Sequence, residues 1–91
     1  MRLLVVEDEK KLCDMIAKSL HQSGYEVDVC NDGEEALDMI YAEMYDLIVL
    51  DLNLPGVDGM EILRELRKED EETKVLILSA RSQIADKIEG L

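Results

Sequence analysis

The sequence predicts an α/β fold built on a doubly wound parallel sheet. Short continuous apolar runs alternate along the chain with stretches of helical periodicity, the pattern of strands buried on both faces and joined by right-handed crossovers. Two of the runs, residues 3–6 and 47–50, end in carboxylates, Glu7-Asp8 and Asp51. Two strands of one sheet would therefore deliver three acids to a common edge.

Taken in order, Val5 and Val6 belong to a first strand of about five residues. Residues 9–23 then carry Leu12, Ile16 and Leu20 at helical spacing and stop at Gly24. Residues 25–30 alternate apolar and acidic side chains with period two, which reads as an edge strand with one wet face. Asn31 and Asp32 supply an N-cap, with Glu34 and Glu35 as acids in the first turn of a second helix whose Leu37, Ile40 and Met44 share a face. The third strand is expected over residues 46–50. Gly59 and Met60 open a third helix, with Leu63 and Leu66 inward and Arg64, Glu65 and Lys68 outward, followed by the solvated acidic stretch 69–72. Residues 74–79 read as a fourth strand, and Ser82 can cap a last helix through Ile84 and Ile88 to Gly90. The methionines at 15, 39, 44 and 60 suit core or lid packing, Tyr41 and Tyr45 suit half-exposed caps of the core, and His21 suits a solvent-facing position.

Composition sets the bounds. With 91 residues, 47% hydrophobic and 35% charged, the chain is expected to form one small domain over residues 1–91 with its own core. A net charge of -12 opposes direct binding to nucleic acid or anionic lipid. No stretch approaches the about 20 apolar residues of a membrane span, and the run after Met1-Arg2 reaches Glu7 too soon for a signal peptide, so a cytoplasmic location is expected. Cys13 and Cys30 lack metal-site spacing and are expected as reduced, partly buried thiols.

The carboxylates carry the chemistry. In a doubly wound sheet a ligand sits outside the carboxyl ends of the strands, where Glu7, Asp8, Asp51 and Ser79 all fall. A hard cation such as Mg2+ takes oxygen ligands, keeps several waters and completes its shell with a phosphate, which would let a carboxylate act as nucleophile in phosphoryl transfer. Glu7-Asp8 alone could merely interact with the dipole of the next helix. Pro55-Gly56 reads as a type I or II turn. A calcium loop starting at Asp51 is excluded, since Pro55 and Ile62 stand where oxygen ligands are needed.

The runs Val-Val-Glu-Asp-Glu (5–9), Leu-Asp-Leu-Asn-Leu-Pro-Gly-Val-Asp-Gly (50–59) and Ile-Leu-Ser-Ala (77–80) resemble the receiver domains of two-component response regulators, most of all those with a winged-helix DNA-binding output. The resemblance runs in register over essentially the whole chain. It implies a flavodoxin-like sheet of order 2-1-3-4 and a module that takes a phosphoryl group from a sensor histidine kinase with Mg2+, without metabolic turnover. By the same resemblance Asp51 is the phosphoacceptor, Asp8 a direct metal ligand, Glu7 a ligand through water, Asn53 a ligand through its backbone carbonyl, and Ser79 the switch hydroxyl. The family continues with a fifth strand, bearing a lysine before a cis-proline, and a fifth helix. Neither is present here, and Lys74 and Lys87 are not substitutes within the chain, so a receiver truncated after the fourth helix is expected.

Two other functions compete. A phosphate-ester hydrolase would use the same aspartate and metal, but usually needs a titrating acid where Asn53 stands. The other is a self-associating assembly piece without a working switch: with the fifth strand missing, the edge of residues 75–78 or the last helix is expected to make a homo-oligomer, by edge pairing or by exchange of elements between chains.

Overall fold

The computed structural model describes residues 1–78, which form β1 (Arg2–Val6), α1 (Lys10–Gln22), β2 (Glu26–Cys30), α2 (Gly33–Ala42), β3 (Leu47–Asp51), α3 (Gly59–Glu69) and β4 (Lys74–Leu78). All strand pairs are parallel and the order is β2-β1-β3-β4, the expected arrangement. Ser79, Ala80 and the last helix expected from Ser82 to Gly90 lie outside the described residues. Among the described residues, no helix is long and apolar enough to cross a membrane.

Strand parity divides the core into two layers. Leu4, Val6, Cys30, Ile48 and Leu50 turn to one face, where Ala36 of α2 and Ile62 and Leu66 of α3 close over them together with Tyr45. Val5 and Val49 turn to the other face and meet Cys13 of α1, with Ile16, Leu20, Val27, Leu47 and Leu78 packed around them. Because β1 and β3 are buried on both faces, they are continuous apolar runs rather than alternating ones.

Local signals set the helix ends. Gly24, at φ +97°, closes α1: its N–H bonds His21 O at 3.0 Å while Tyr25 N–H reaches Leu20 O at 3.3 Å, a Schellman pattern that a side chain would strain. Asp32 Oδ1 accepts from Glu34 N–H at 2.7 Å and caps α2. Asp58 Oδ1 accepts from Met60 N–H at 2.8 Å and caps α3.

Several expectations are corrected. β3 runs one residue later than expected and ends on Asp51 itself. The second helix stops at Ala42, with Glu43 extended, so Met44 leaves the helical face and is 86% exposed. Met15 is 67% exposed on α1, and Tyr41 is also exposed. Tyr45 is buried, because its ring joins the core while its hydroxyl donates to Asp28 Oδ2 at 2.7 Å. Asp28 also accepts from Arg2 Nη2 at 2.9 Å, and the Arg2 guanidinium lies 5.9 Å from the centre of the Tyr45 ring. Cys13 and Cys30 are fully buried free thiols, and burial pushes both up from the ordinary thiol value.

Candidate functional site

The sheet order reverses between β1 and β3, since the chain passes from β1 to β2 on one side and then crosses back to β3 on the other. At that crevice Glu7 follows the last residue of β1 and Asp51 ends β3. Glu7, Asp8 and Asp51 each present a carboxylate oxygen within 4.8 Å of the others. Glu7 is 4% and Asp51 7% exposed, while Asp8 faces solvent. The three acids that the sequence places at one sheet edge thus converge on a single point.

Backbone donors hold the two buried carboxylates. Asp51 Oδ1 accepts from Asn53 N–H at 3.0 Å, and Glu7 Oε2 accepts from Glu9 N–H at 2.8 Å. Both bonds reach two residues forward into the loop that follows the strand, the short local turn open to acids at a strand end. Burial pushes the Glu7 carboxyl up to about 7; the Glu9 N–H opposes this, and Asp8 and Asp51 add to the rise. Four ion pairs occur among the described residues, and none of them involves the cluster.

The loop after Asp51 is built from backbone constraints. Pro55 precedes Gly56 at φ +81°, so the turn over residues 54–57 is of type II rather than type I. Gly59 has no room for a side chain: a Cβ there would stand 2.6 Å from Asp51 O and 2.7 Å from the Leu52 Cα. Gly33 is equally restricted, with its missing Cβ 2.6 Å from Val57 O, which lets the start of α2 press on the same loop. These two contacts, and the Asn31 side-chain amide that donates to Glu7 O at 2.8 Å, were not singled out from the sequence. The only sequence signals were an asparagine just after β2 and glycines at two helix starts.

A groove of about 590 Å³ opens from the acids. Glu7, Asp8, Asp51 and Asn53 form its polar end, and apolar side chains of α1, β3 and β4, among them Leu12, Leu47 and Leu76, form the remainder. A smaller cavity of about 230 Å³, between the ends of α2 and α3, contains none of these acids and lies away from the chemistry. Asn53 lines the groove beside the acids, with its N–H committed to Asp51. Ser79 falls outside the described residues.

Three carboxylates, two of them buried, form an all-oxygen donor set suited to a hard divalent cation with water in its remaining positions. Comparison with known proteins gives this geometry a context. Residues 3–91 match the response regulator receiver domain family. The chain is 46% identical over 91 residues to the transcriptional regulatory protein TctD of Salmonella typhimurium, covering all of this chain and 41% of that protein. It superposes on the receiver domain of the Francisella response regulator 1452 with a TM-score of 0.86 at 40% identity, covering 98% of this chain and 74% of that one. TrrA of Thermotoga maritima, solved with Mg2+ and BeF, matches with a TM-score of 0.83 at 37% identity, covering 94% and 78% of the two chains. The same TrrA is also solved in complex with the histidine kinase ThkA. These likenesses favour a signalling module over an assembly piece.

Proposed function

We propose, from the premise that the chain belongs to the response regulator receiver domain family, that Asp51 is the residue that accepts a phosphoryl group and that residues 1–91 act as one receiver unit. The convergence of Glu7, Asp8 and Asp51 within 4.8 Å at the β1/β3 crevice carries this reading. Asp51 is held at the end of a buried strand with one oxygen bonded to Asn53 N–H, which leaves the other oxygen as the attacking atom. That oxygen forms a bond to phosphorus as the bond to the donor breaks, and the leaving group departs with its electron pair.

Asp8 and Asp51 would hold Mg2+ directly and Glu7 through a water, and the Asn53 carbonyl would add a further oxygen. When bound, the cation offsets the charge of the acids and of the incoming phosphoryl group. TrrA, solved both with Mg2+ and BeF and with a histidine kinase, supports the same cofactor and a sensor kinase as donor for this chain. The regulatory output is read from TctD in the same way. Since the chain spans about 41% of that relative, transcriptional control belongs to the larger protein.

The test is intact mass after incubation with Mg2+ and a small-molecule phosphodonor, on this chain and on Asp51→Asn. A single phosphoryl adduct absent from the variant is expected. An adduct that persists in Asp51→Asn overturns the assignment of Asp51.

A further inference from the structure

We propose that Asn31 is a positioning residue of the cation site: its side-chain amide fixes the peptide that joins Glu7 to Asp8, and so sets how well the acids meet the strict geometry of Mg2+. This role rests on the three acids being that site. Asp51 Oδ1 and Glu7 Oε2 each accept a backbone N–H, at 3.0 and 2.8 Å. Asp8 is different. Its side chain faces solvent and interacts with its own neighbour Glu7, so the backbone that carries it sets where its carboxylate stands.

The end of β2 holds that backbone on both sides of Glu7. Glu7 N–H donates to Cys30 O at 3.0 Å, just past the register pair of Val6 and Cys30. In a parallel ladder the next rung would run from the N–H of residue 32 to Glu7 O. The chain has turned away by then: Asp32 is the N-cap of α2, and its Oδ1 accepts from Glu34 N–H at 2.7 Å. Asn31 supplies the donor instead, from Nδ2 to Glu7 O at 2.8 Å. The Glu7 carbonyl and the N and Cα of Asp8 belong to one rigid peptide plane, so holding that oxygen orients Asp8. The same side chain interacts with the thiol of Cys13, buried in the first turn of α1, and Cys13 N–H donates to Glu9 O at 2.9 Å. One amide thus joins the ends of β1 and β2 to the start of α1, around the acid that faces solvent. An aspartate of the same shape would set a carboxylate against the Glu7 carbonyl oxygen and could not donate.

Two ions separate positioning from mere support of the fold. Mg2+ demands near-octahedral oxygens at short distances, whereas Ca2+ accepts irregular shells at longer ones, so a loosened Asp8 penalises Mg2+ more. Isothermal titration calorimetry with Mg2+ and with Ca2+, on the wild type, Asn31→Leu and Asn31→Asp, reads the ratio of the two affinities. Asn31→Leu should weaken Mg2+ about tenfold, the low end for residues that orient a metal ligand from behind, and Ca2+ by less than about threefold. Asn31→Asp adds a charge that attracts both ions alike, and should still shift the ratio against Mg2+. Urea unfolding in EDTA on the same samples gives the structural share: a contact that only supports the fold lowers stability and leaves the ratio where it was. Asn31 is half-buried, and both variants should fold; if neither does, the contact is structural and the proposal falls. A ratio unchanged in folded variants overturns the role of Asn31 while leaving the three acids as the cation site. A wild type that takes up neither ion overturns the cation site itself, and the role of Asn31 with it.

Discussion

Replacing Glu7 by glutamine isolates the cost of a charge in the buried corner of the site. The folded protein holds this carboxyl at about 7, against an ordinary value of 4.5, chiefly because burial penalises the anion. The unfolded chain gives up its proton near 4.5, so between these two values the folded state binds a proton that the unfolded state has lost. Stability therefore falls as pH rises through this window and levels off above it. At about 1.4 kcal/mol per pH unit the loss amounts to about 3 kcal/mol. Glutamine keeps the shape and can still accept from Glu9 N–H, but it never ionises. In EDTA at pH 8, Glu7→Gln should be the more stable form in urea unfolding by up to about 3 kcal/mol, and the two forms should converge below about pH 5. Saturating Mg2+ at pH 8 should close most of this gap: a ligand at 100 times its Kd contributes about 2.7 kcal/mol to the wild type, and the variant, which has lost a carboxylate charge at the site, gains less. A difference between the two proteins that does not change from pH 5 to pH 8 in EDTA would refute the reasoning.

Three further outcomes follow from the geometry. Gly59→Ala places a Cβ against Asp51 O and the Leu52 Cα, which are backbone and cannot yield cheaply; a loss of about 1–3 kcal/mol in urea unfolding is expected, with slower adduct formation at Asp51. Tyr45→Phe removes the hydroxyl that, ahead of Arg2, holds the Asp28 carboxyl below its ordinary value. That contribution is present above the ordinary carboxylate value and lost as pH falls through the lowered one, so the variant should be less stable by about 1 kcal/mol at pH 7 and lose less on acidification. Ile62→Ala opens a cavity under α3 where the side chain is fully buried, and should cost about 2–5 kcal/mol by the same unfolding assay.

The strand runs and their terminal acids were legible because burial on both faces leaves a continuous apolar word, and a carboxylate at its end has few structural reasons to be there. The parallel sheet and the meeting of Glu7, Asp8 and Asp51 followed from that pattern, while the strand order came from the resemblance to receiver domains. Finer packing did not. Met44 fits the helical period of α2, yet the helix ends two residues earlier, and periodicity carries no stop signal at Ala42. Tyr45 reads as a half-exposed aromatic because its partners, Arg2 and Asp28, are distant in sequence. The restriction at Gly59 is invisible for a related reason: it depends on how near the backbone of Asp51 and Leu52 comes, and a glycine at a helix start has commoner explanations.

The way the acids are held also says how a change at the site would spread. Neither Glu7 nor Asp51 is steadied by a cationic side chain among the described residues; each leans on a single N–H two residues further along its own loop. A ligand that recruits Glu7 Oε2 or Asp51 Oδ1 shares its oxygen with a bond that shapes a loop. For Asp51 the loop is clamped at its far end, where Gly59 packs against Asp51 O and donates its N–H to Leu52 O at 3.3 Å. Val57, midway, is pinned by Gly33 at the start of α2. A charge added to the Asp51 carboxylate is thus felt first by residues 52–58, through backbone rather than through an ion-pair network. Because backbone contacts of this kind cannot be lengthened by changing a rotamer, the loop must respond as a unit or not at all.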